Sequence, residues 1–252
     1  MGKILLYPIG TSDSCRWASY FLEKAGFSLT DHPSPEVTNL LLDVPSFGKS
    51  KKLQNGSELN ELLRMLPKTM TVIGGNLNHD SLVDYRTIDL LQDSYFLAQN
   101  AAITAECALR VASSHLSTIY AESPALILGW GRIGKCLARL LSSMGCSVTV
   151  AARKENDRAM LKALGYKAVY FPQIPEVLCG CRILFNTVPD VPLHSDILDC
   201  WKTGIAIDLA SLPGMKGQRV IPARGLPGKY APESAGKLIC KTILRMQKEE
   251  AI

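Results

Sequence analysis

A glycine-rich turn that follows an apolar run is the feature that most limits how this chain can fold. Residues 125–128 are apolar without interruption, as expected for a strand buried on both faces of a parallel sheet. Gly129, Gly131 and Gly134 follow directly in the spacing G-x-G-x-x-G, and a helix is predicted to begin inside this spacing. A second strand is predicted at residues 147–151. The order strand, turn, helix, strand predicts a doubly wound parallel sheet of the α/β class.

The same glycines predict a dinucleotide site. Gly129 permits the tight turn, Gly131 lets a pyrophosphate approach the backbone, and Gly134 lets helix and strand pack closely. The start of the helix then presents unpaired N–H groups to the phosphates. The predicted phosphate-binding residues are Gly129, Trp130, Gly131, Arg132, Ile133 and Gly134. The alternative is a purely structural turn in an unrelated doubly wound fold, which the context on both sides of the turn disfavours.

The end of the second strand indicates which dinucleotide binds. A site selective for NAD usually has Asp or Glu there, to accept hydrogen bonds from the ribose 2′-hydroxyl. This chain has Arg153 and Lys154, and its first acid, Glu155, comes one place too late. Because a guanidinium binds phosphate by charge and by forked hydrogen bonds, we predict NADP. The alternative is that Arg153 and Lys154 are ordinary solvated cations.

Two later loops are expected at the same edge of the sheet. Further parallel strands are predicted at residues 182–186 and 205–208. Ligands of open parallel sheets lie beyond the carboxyl ends of the strands, so both loops are expected near the nicotinamide and the substrate. The loop residues are Asn186, Thr187, Val188 and Pro189, and then Asp208, Leu209, Ala210 and Ser211. For Asn186 and Asp208 alone, local capping of a turn is the simpler interpretation.

The first part of the chain predicts a second, smaller α/β domain. Short apolar runs at residues 3–9, 39–45 and 71–75 alternate with helical periodicity, which is typical of a small parallel sheet covered by helices. The predicted division is an N-terminal substrate domain (residues 1–98), a linker helix (99–121), an NADP-binding Rossmann domain (122–232) and a C-terminal helix that packs back on the first domain (233–252).

Four segments resemble the A subunit of dipicolinate synthase. They are LILGWGRIGKCLARLLSSMGCSVTVAAR, FNTVP, IDLASLPG and ARGLPGKYAPESAGKLI, and they cover residues 125–238, with a shorter patch at 100–106. The resemblance implies a two-domain protein with a layout like that of formate and glycerate dehydrogenases. It also implies that the chain acts with a flavoprotein-like B subunit during spore formation, oxidising dihydrodipicolinate to dipicolinate with hydride transfer to NADP.

The resemblance also implies roles for individual residues. It gives Gly129, Gly131 and Gly134 to the pyrophosphate and Arg153 to the 2′-phosphate. By the same resemblance, the nicotinamide is expected to contact Thr187, Val188, Pro189, Leu209 and Ala210. The substrate cleft is expected to be lined by Asn100, Thr104, Glu106 and Ser211.

The predicted chemistry needs a weak base, because loss of hydride and a proton makes an aromatic ring. We predict that Glu106, or a water held by Asn100 and Thr104, takes the proton. Main-chain N–H groups at Gly10, Thr11 and Ser12, or at Ser211, are predicted to bind the ring carboxylates, as backbone nests do. An alternative role for Glu106 is to balance the helix dipole in a first turn.

The histidines bear on the competing functions. None of the four, His32, His79, His115 and His194, lies in the loop after the last Rossmann strand, where a hydroxy-acid dehydrogenase of this layout keeps its acid/base. A dehydrogenase for another small carboxylate is therefore a weaker alternative. The other alternative is a catalytically silent nucleotide-binding protein that docks a partner through Trp17 and Tyr20 or through the terminal helix.

Composition excludes several classes of protein. With 47% hydrophobic and 20% charged residues the chain is not disordered, and it has no apolar run of the roughly 20 residues that a membrane span needs. The net charge of +5 contains no block of like charges, so a nucleic-acid partner is not expected. The eight cysteines lack zinc-site spacing, so we predict buried free thiols and no metal. We expect a cytoplasmic homo-oligomer without signal peptide or membrane contact, whose ligand is a small dicarboxylate.

Overall fold

The computed structural model describes residues 4–48, 52–189, 193, 195–210 and 215–249. The chain divides into two compact units: Met1–Asn100 with Pro227–Ile252, and Ala101–Leu226. Each unit is built on its own parallel sheet. The predicted α/β class with two parallel sheets is therefore confirmed.

The sheet of the first unit has five parallel strands among the described residues, in the order β2-β1-β3-β4-β5. The strands are β1 (Leu5–Pro8), β2 (Ser28–Leu29), β3 (Asn39–Leu41), β4 (Thr71–Gly74) and β5 (Arg86–Asp89). Because the direction of strand addition reverses between β1 and β3, a crevice forms there at the carboxyl ends of the two strands.

The helices of the first unit include one from each end of the chain. They are α1 (Asp13–Lys24), α2 (Leu59–Leu63), the start of α3 (Ser94–Ser113) and α9 (Pro232–Glu249), with 3₁₀ turns at Asp80–Leu82 and Leu90–Gln92. The terminal helix packs tightly on α1, since a Cβ atom at Gly236 would lie 2.4 Å from Trp17 Cβ. Arg245 of α9 also pairs with Asp93, with 2.6 Å between Nη2 and Oδ2.

The second unit has the strand order of a nucleotide-binding Rossmann sheet. Its six described strands are β6 (Ala125–Leu128), β7 (Val148–Ala151), β8 (Lys167–Val169), β9 (Ile183–Asn186), β10 (Ile205–Asp208) and β11 (Val220–Pro222). They lie in the order β8-β7-β6-β9-β10-β11, all parallel. In chain order this is third, second, first, fourth, fifth, sixth, so that the crevice of this sheet lies between β6 and β9.

Helices cover both faces of this sheet, and the central strands are buried. The helices are α4 (Arg132–Ser143), α5 (Glu155–Ala163), α6 (Ile174–Leu178) and α7 (Ser195–Cys200), with 3₁₀ turns at Tyr120–Glu122 and Phe171–Gln173. The short helix α8 (Leu226–Tyr230) begins at the last residue of this unit, and its other residues belong to the first unit. Every residue of β6, β7 and β9 is buried. For β6 this agrees with the continuous apolar run from which the strand was predicted.

The long helix α3 begins and ends earlier than the linker helix predicted at residues 99–121. The carboxylate of Asp93 accepts a hydrogen bond of 2.7 Å from the Phe96 N–H, which caps the helix start at Ser94. At the other end, the hydroxyls of Ser113 and Ser114 bond back to main-chain carbonyls of the last turn. Apolar periodicity alone does not show these two polar ends.

No helix within the described ranges is both long and apolar enough to cross a membrane. In the same part of the chain, no cluster of His, Cys, Asp or Glu has an arrangement that would hold a metal ion.

Candidate nucleotide-binding site

Two glycines of the turn after β6 are required by its geometry. Gly129 has a φ of +100°, and a Cβ there would lie 2.5 Å from Val188 Cγ1 and 2.7 Å from Thr187 Oγ1. At Gly134 a Cβ would come within 2.2 Å of the carbonyl oxygen of Gly129. A side chain at either position would therefore push helix, turn and the next loop apart.

The third glycine is different, because nothing among the described residues excludes a side chain there. Gly131 has a φ of −81°, and apart from its two neighbours along the chain no atom of the described residues lies within 4 Å of the place where its Cβ would be. The open space above Gly131 fits a ligand that approaches the backbone, which is the role predicted for this glycine. The glycine cradle therefore suits a pyrophosphate.

The start of α4 lies at the same point. Gly131 is the N-cap residue and provides no side chain to accept hydrogen bonds from the first turn, which also contains no acid. The helix dipole and these N–H groups thus favour an anion. The indole of Trp130 lies beside the turn, 5.8 Å from the Tyr166 ring and 5.7 Å from Lys135 Nζ.

The loop after β9 is fastened to the turn. Both the N–H and the hydroxyl of Thr187 donate to the carbonyl of Leu128, at 3.0 and 2.7 Å. Val188 N–H donates to the side-chain oxygen of Asn186 at 3.1 Å. These bonds hold Thr187 and Val188 against Gly129, across the crevice between β6 and β9.

The side chain of Asn186 does more than cap this turn. It is fully buried, and its amide nitrogen donates to Asp208 Oδ1 at 2.7 Å. This bond joins the carboxyl ends of β9 and β10. Local capping therefore explains only half of the contacts of Asn186, and the other half fixes the two ligand-side loops relative to one another.

The loop after β10 is buried as far as it is described. Leu209 N–H donates to the carbonyl of Asn186, and the carbonyl of Ala210 accepts from Arg224 Nε, at 2.9 and 3.0 Å. The carbonyl of Ala210 therefore already has a partner within the unit. Ser211, which was predicted to face the substrate, lies outside the described residues.

A cavity of about 550 Å³ lies at the carboxyl ends of β7, β8 and β9. Arg153, Val188 and Pro189 line it, so the structure brings these three predicted residues together. The other lining residues are Tyr170, Phe171, Pro172, Ile174, Pro175, Leu193 and Ile197. The wall is thus mainly apolar and carries one cation at its edge. Lys154 is exposed as the N-cap of α5 and is not among the lining residues.

Tyr170 and Phe171 were not predicted as site residues. Both lie at the turn Phe171–Gln173, which follows the edge strand β8. Residues 168–171 form a short apolar run, but no strand was predicted from it, so these aromatic residues were not placed at the ligand edge of the sheet. The pair of aromatic residues next to Pro172 was the available signal.

In the first unit, the three N–H groups that were predicted to bind the substrate already have partners within the chain. The N–H groups of Thr11 and Ser12 donate to the two carboxylate oxygens of Asp43, at 2.9 and 3.1 Å, and the Ser12 hydroxyl donates there as well. Gly10 N–H donates to the carbonyl of Leu41 at 3.4 Å. The N–H groups of Thr11 and Ser12 are thus engaged by a carboxylate of the chain itself, and that of Gly10 by a carbonyl, so substrate carboxylates would have to compete with these bonds.

The predicted catalytic residues do not share one face of α3. Asn100 and Thr104 are four residues apart and lie on one face, where Thr104 is buried. Glu106 is only two residues beyond Thr104, so it points to a different face, and it is exposed. Glu106 and the Asn100–Thr104 pair are therefore separate candidates for the base rather than parts of one cluster.

The fold and the glycine turn define the class: an α/β protein of two units, the second of which has the strand order and the glycine turn of a nucleotide-binding Rossmann domain. Residues 94–200 match the family model of the NAD-binding domain of D-isomer specific 2-hydroxyacid dehydrogenases. Within this class, the chain is similar to the A subunit of dipicolinate synthase. It is 27% identical to that protein from Bacillus subtilis (strain 168) over 174 residues, which are 65% of this chain and 58% of the relative.

Solved structures show the same likeness over the whole fold. The crystal structure of the dipicolinate synthase A subunit from Bacillus halodurans matches with a TM-score of 0.82 at 20% identity, covering 98% of each chain. Its counterpart from Bacillus subtilis matches with a TM-score of 0.78 at 19% identity, covering 99% of this chain and 97% of the other. The predicted resemblance is thus confirmed, although the sequence alignment spans only 58% of the length of the curated relative.

Proposed function

We propose that this protein is an NADP-dependent dehydrogenase of the same type as the dipicolinate synthase A subunit. In this proposal it oxidises dihydrodipicolinate, or a closely related dihydropyridine dicarboxylate, to the aromatic dicarboxylate. The observation that carries the proposal is the open glycine cradle at Gly131 next to a cavity that has Arg153 at its edge. An acid at this position would favour the 2′-hydroxyl of NAD, whereas an arginine favours the 2′-phosphate of NADP.

In this proposal, different residues of the chain bind different parts of the nucleotide. The turn from Gly129 to Gly134 holds the pyrophosphate, and Arg153 binds the 2′-phosphate. The loops after β9 and β10, which Asn186 and Asp208 hold together, border the nicotinamide side of the site. The bound nucleotide supplies the acceptor for the hydride.

The proton of the reaction goes to a weak base. Because the product ring is aromatic, exposed Glu106 is basic enough for this step, and a water held by Asn100 and Thr104 is the alternative. The ring carboxylates bind main-chain N–H groups near Ser211, since those of Gly10, Thr11 and Ser12 are engaged within the first unit, two of them by Asp43.

The proposal extends to the surroundings of the protein. By likeness to the A-subunit relatives, we include a flavoprotein-like B subunit as partner, a homo-oligomer, a cytoplasmic location and a role in spore formation. Each of these parts rests on the resemblance rather than on the geometry of the site.

The first experiment is a titration with NADPH and with NADH, followed by quenching of tryptophan fluorescence. Trp130 lies in the phosphate turn, and a Trp130→Phe variant shows which part of the quench it reports. We expect NADPH to bind at least about tenfold more tightly than NADH, which corresponds to ~1.4 kcal/mol. Arg153→Gln should remove this preference. If neither nucleotide binds, the turn is structural and the proposal is wrong.

The second experiment measures turnover with dihydrodipicolinate and NADP, with and without a homologue of the B subunit. We expect the ultraviolet absorption of the aromatic product and of NADPH to rise together. Nucleotide binding without turnover in both conditions would instead show a silent, partner-docking protein. Glu106→Gln tests the base, because unchanged turnover in this variant would leave the Asn100–Thr104 water as the acceptor of the proton.

A further inference from the structure

One arginine of the second unit holds the main chain on which Arg153 stands. Arg158, on α5, donates from a single guanidinium nitrogen, Nη1, to the carbonyl of Ala152 at 2.9 Å and to the carbonyl of Arg153 at 2.6 Å. Both carbonyls lie just beyond the carboxyl end of β7. Charge-assisted bonds to two successive carbonyls fix the direction in which the chain leaves the strand.

The other side of the same guanidinium faces the cavity wall. Its central carbon lies 5.0 Å from the ring centroid of Tyr170, within the range of a cation–π contact. Tyr170 and Arg153 line the same cavity of about 550 Å³. Arg158 therefore joins the end of β7, where Arg153 lies, to the aromatic wall that follows β8.

The positive charges of Arg153 and Arg158 are not paired with a carboxylate among the described residues. None of the ion pairs formed among the described residues includes Arg153 or Arg158, although Glu155 and Asp157 lie in the first turn of α5. Arg158 bonds to main-chain carbonyls, which carry no net charge, and no carboxylate among the described residues forms an ion pair with it. Of the two arginines, Arg153 lines the cavity, and its guanidinium, without an ion-pair partner among the described residues, favours a dianionic phosphate as ligand.

We propose that Arg158 is a positioning residue that determines cofactor specificity. By holding the carbonyls of Ala152 and Arg153, it orients the guanidinium of Arg153 toward the 2′-phosphate of NADP. This inference rests on the proposed function, namely that NADP binds at this site. It adds a residue that no motif identifies, since Arg158 lies five residues beyond Arg153 and acts through the main chain.

The test is a double-mutant cycle on nucleotide affinity. NADPH and NADH are titrated against the full chain and against Arg158→Gln, Arg153→Gln and the double variant, with Trp130 fluorescence as readout. We expect Arg158→Gln to weaken NADPH binding about tenfold and NADH binding by less than about twofold. In the Arg153→Gln background, Arg158→Gln should have no further effect on the ratio of the two affinities, because Arg158 acts through Arg153.

Two further variants separate positioning from charge and from folding. Lys162→Gln removes one exposed positive charge from the same helix and should leave the ratio unchanged. Arg158→Lys keeps the charge and a donor for the carbonyls and should restore part of the preference for NADPH. If Arg158→Gln does not fold, the cycle is run with Arg158→Lys, whose remaining deficit should disappear in the Arg153→Gln background.

The outcomes for the two proposals are distinct. If the unmodified chain prefers NADPH and Arg158→Gln keeps that preference, the inference about Arg158 is overturned and the proposed function stands. Equal losses in both backgrounds overturn it too, because Arg158 would then act independently of Arg153. If the unmodified chain shows no preference for NADPH, the NADP part of the proposed function itself fails.

Discussion

Asp43 shows how a single side chain organises the crevice of the first sheet. It is 6% exposed and accepts hydrogen bonds from two successive main-chain N–H groups and from the Ser12 hydroxyl. This arrangement holds the loop after β1 to the end of β3, at the point where strand order reverses. A buried carboxylate with three donors acts as a structural anchor of the unit.

Asp43→Asn should therefore lower the free energy of unfolding by about 2 kcal/mol, because its amide group must face at least one main-chain N–H donor without accepting from it. Urea unfolding of the two proteins measures the difference. Asp31→Asn is the matched control, since Asp31 is exposed and pairs only with neighbouring His32 among the described residues, so its replacement should leave stability unchanged. An equal loss of unfolding free energy in both variants would show that Asp43 stabilises the protein no more than an exposed aspartate does.

The cysteines give a prediction about reactivity at the same scale. Burial, with a further contribution from Asp43, raises the pKa of the Cys15 thiol to about 12, and burial raises the pKa of Cys146 and of Cys181 to about 11. All seven cysteines whose side chains are described are free, and Cys179 is exposed.

Alkylation at about pH 8 should modify Cys179 first, because the thiolate is the reactive form and a raised pKa keeps the other three thiols protonated at that pH. Peptide mapping by mass spectrometry after timed exposure to iodoacetamide measures the order. In urea, where burial is lost, Cys15, Cys146 and Cys181 should react at the rate of Cys179. Early labelling of Cys15 in the folded protein would contradict this.

At the scale of the element, the turn from β6 to α4 separates glycines needed for packing from a glycine needed for a ligand. Gly134 packs against the carbonyl of Gly129, whereas the surroundings of Gly131 are open. These are the two roles that the sequence motif predicts for Gly131 and Gly134. The structure therefore predicts opposite consequences for the same substitution at the two positions.

Gly134→Ala should lower the free energy of unfolding by about 2 kcal/mol, because its methyl group overlaps a main-chain oxygen. Gly131→Ala should change stability little and should weaken NADPH binding at least about tenfold, since its methyl group occupies the space of the pyrophosphate. Urea unfolding and the fluorescence titration are measured on both variants. Unchanged NADPH affinity of Gly131→Ala would place the pyrophosphate elsewhere.

The central strands of both sheets were predicted from the sequence, whereas the edge strands were not. The four strands that no apolar pattern predicted, β2, β5, β8 and β11, are the edges of the two sheets. Most of their residues are half-buried or exposed. An edge strand needs only one neighbour and one covered face, so its sequence does not have to be continuously apolar. The central strands, which are covered on both faces, were predicted for the opposite reason.

On the scale of the whole molecule, the chain returns to its first unit through α9. Ala235, Leu238, Ile239 and Ile243 of this helix are buried, and Gly236 lets α9 approach α1 closely. The core of the second unit is formed by other residues, around β6, β7 and β9. The last segment of the chain is thus part of the stability of the first unit.

Gly236→Val should therefore destabilise the first unit, because its side chain would overlap Trp17 Cβ and the main chain of α1. NADPH affinity should change less than about twofold, since the nucleotide turn belongs to a unit with a separate core. Lys241→Val, at an exposed position of the same helix, controls for the helix propensity of valine. Thermal unfolding by circular dichroism and the nucleotide titration measure the two effects, and a parallel loss of both in Gly236→Val would contradict independent cores.

The sequence by itself determined the parts of this protein that depend on neighbouring residues. The apolar run at Ala125–Leu128 and the spacing from Gly129 to Gly134 were enough to predict a buried strand and a tight glycine turn, and Arg153 is the basis of the proposal that NADP binds. The tertiary structure alone decided which groups are already engaged. It places the carboxylate of Asp43 on the predicted substrate nest, and the guanidinium of Arg158 between the end of β7 and Tyr170. The physical reason is that hydrogen bonds and cavity walls form between residues that folding brings together from separate segments, while periodicity and motif spacing register only neighbours along the chain.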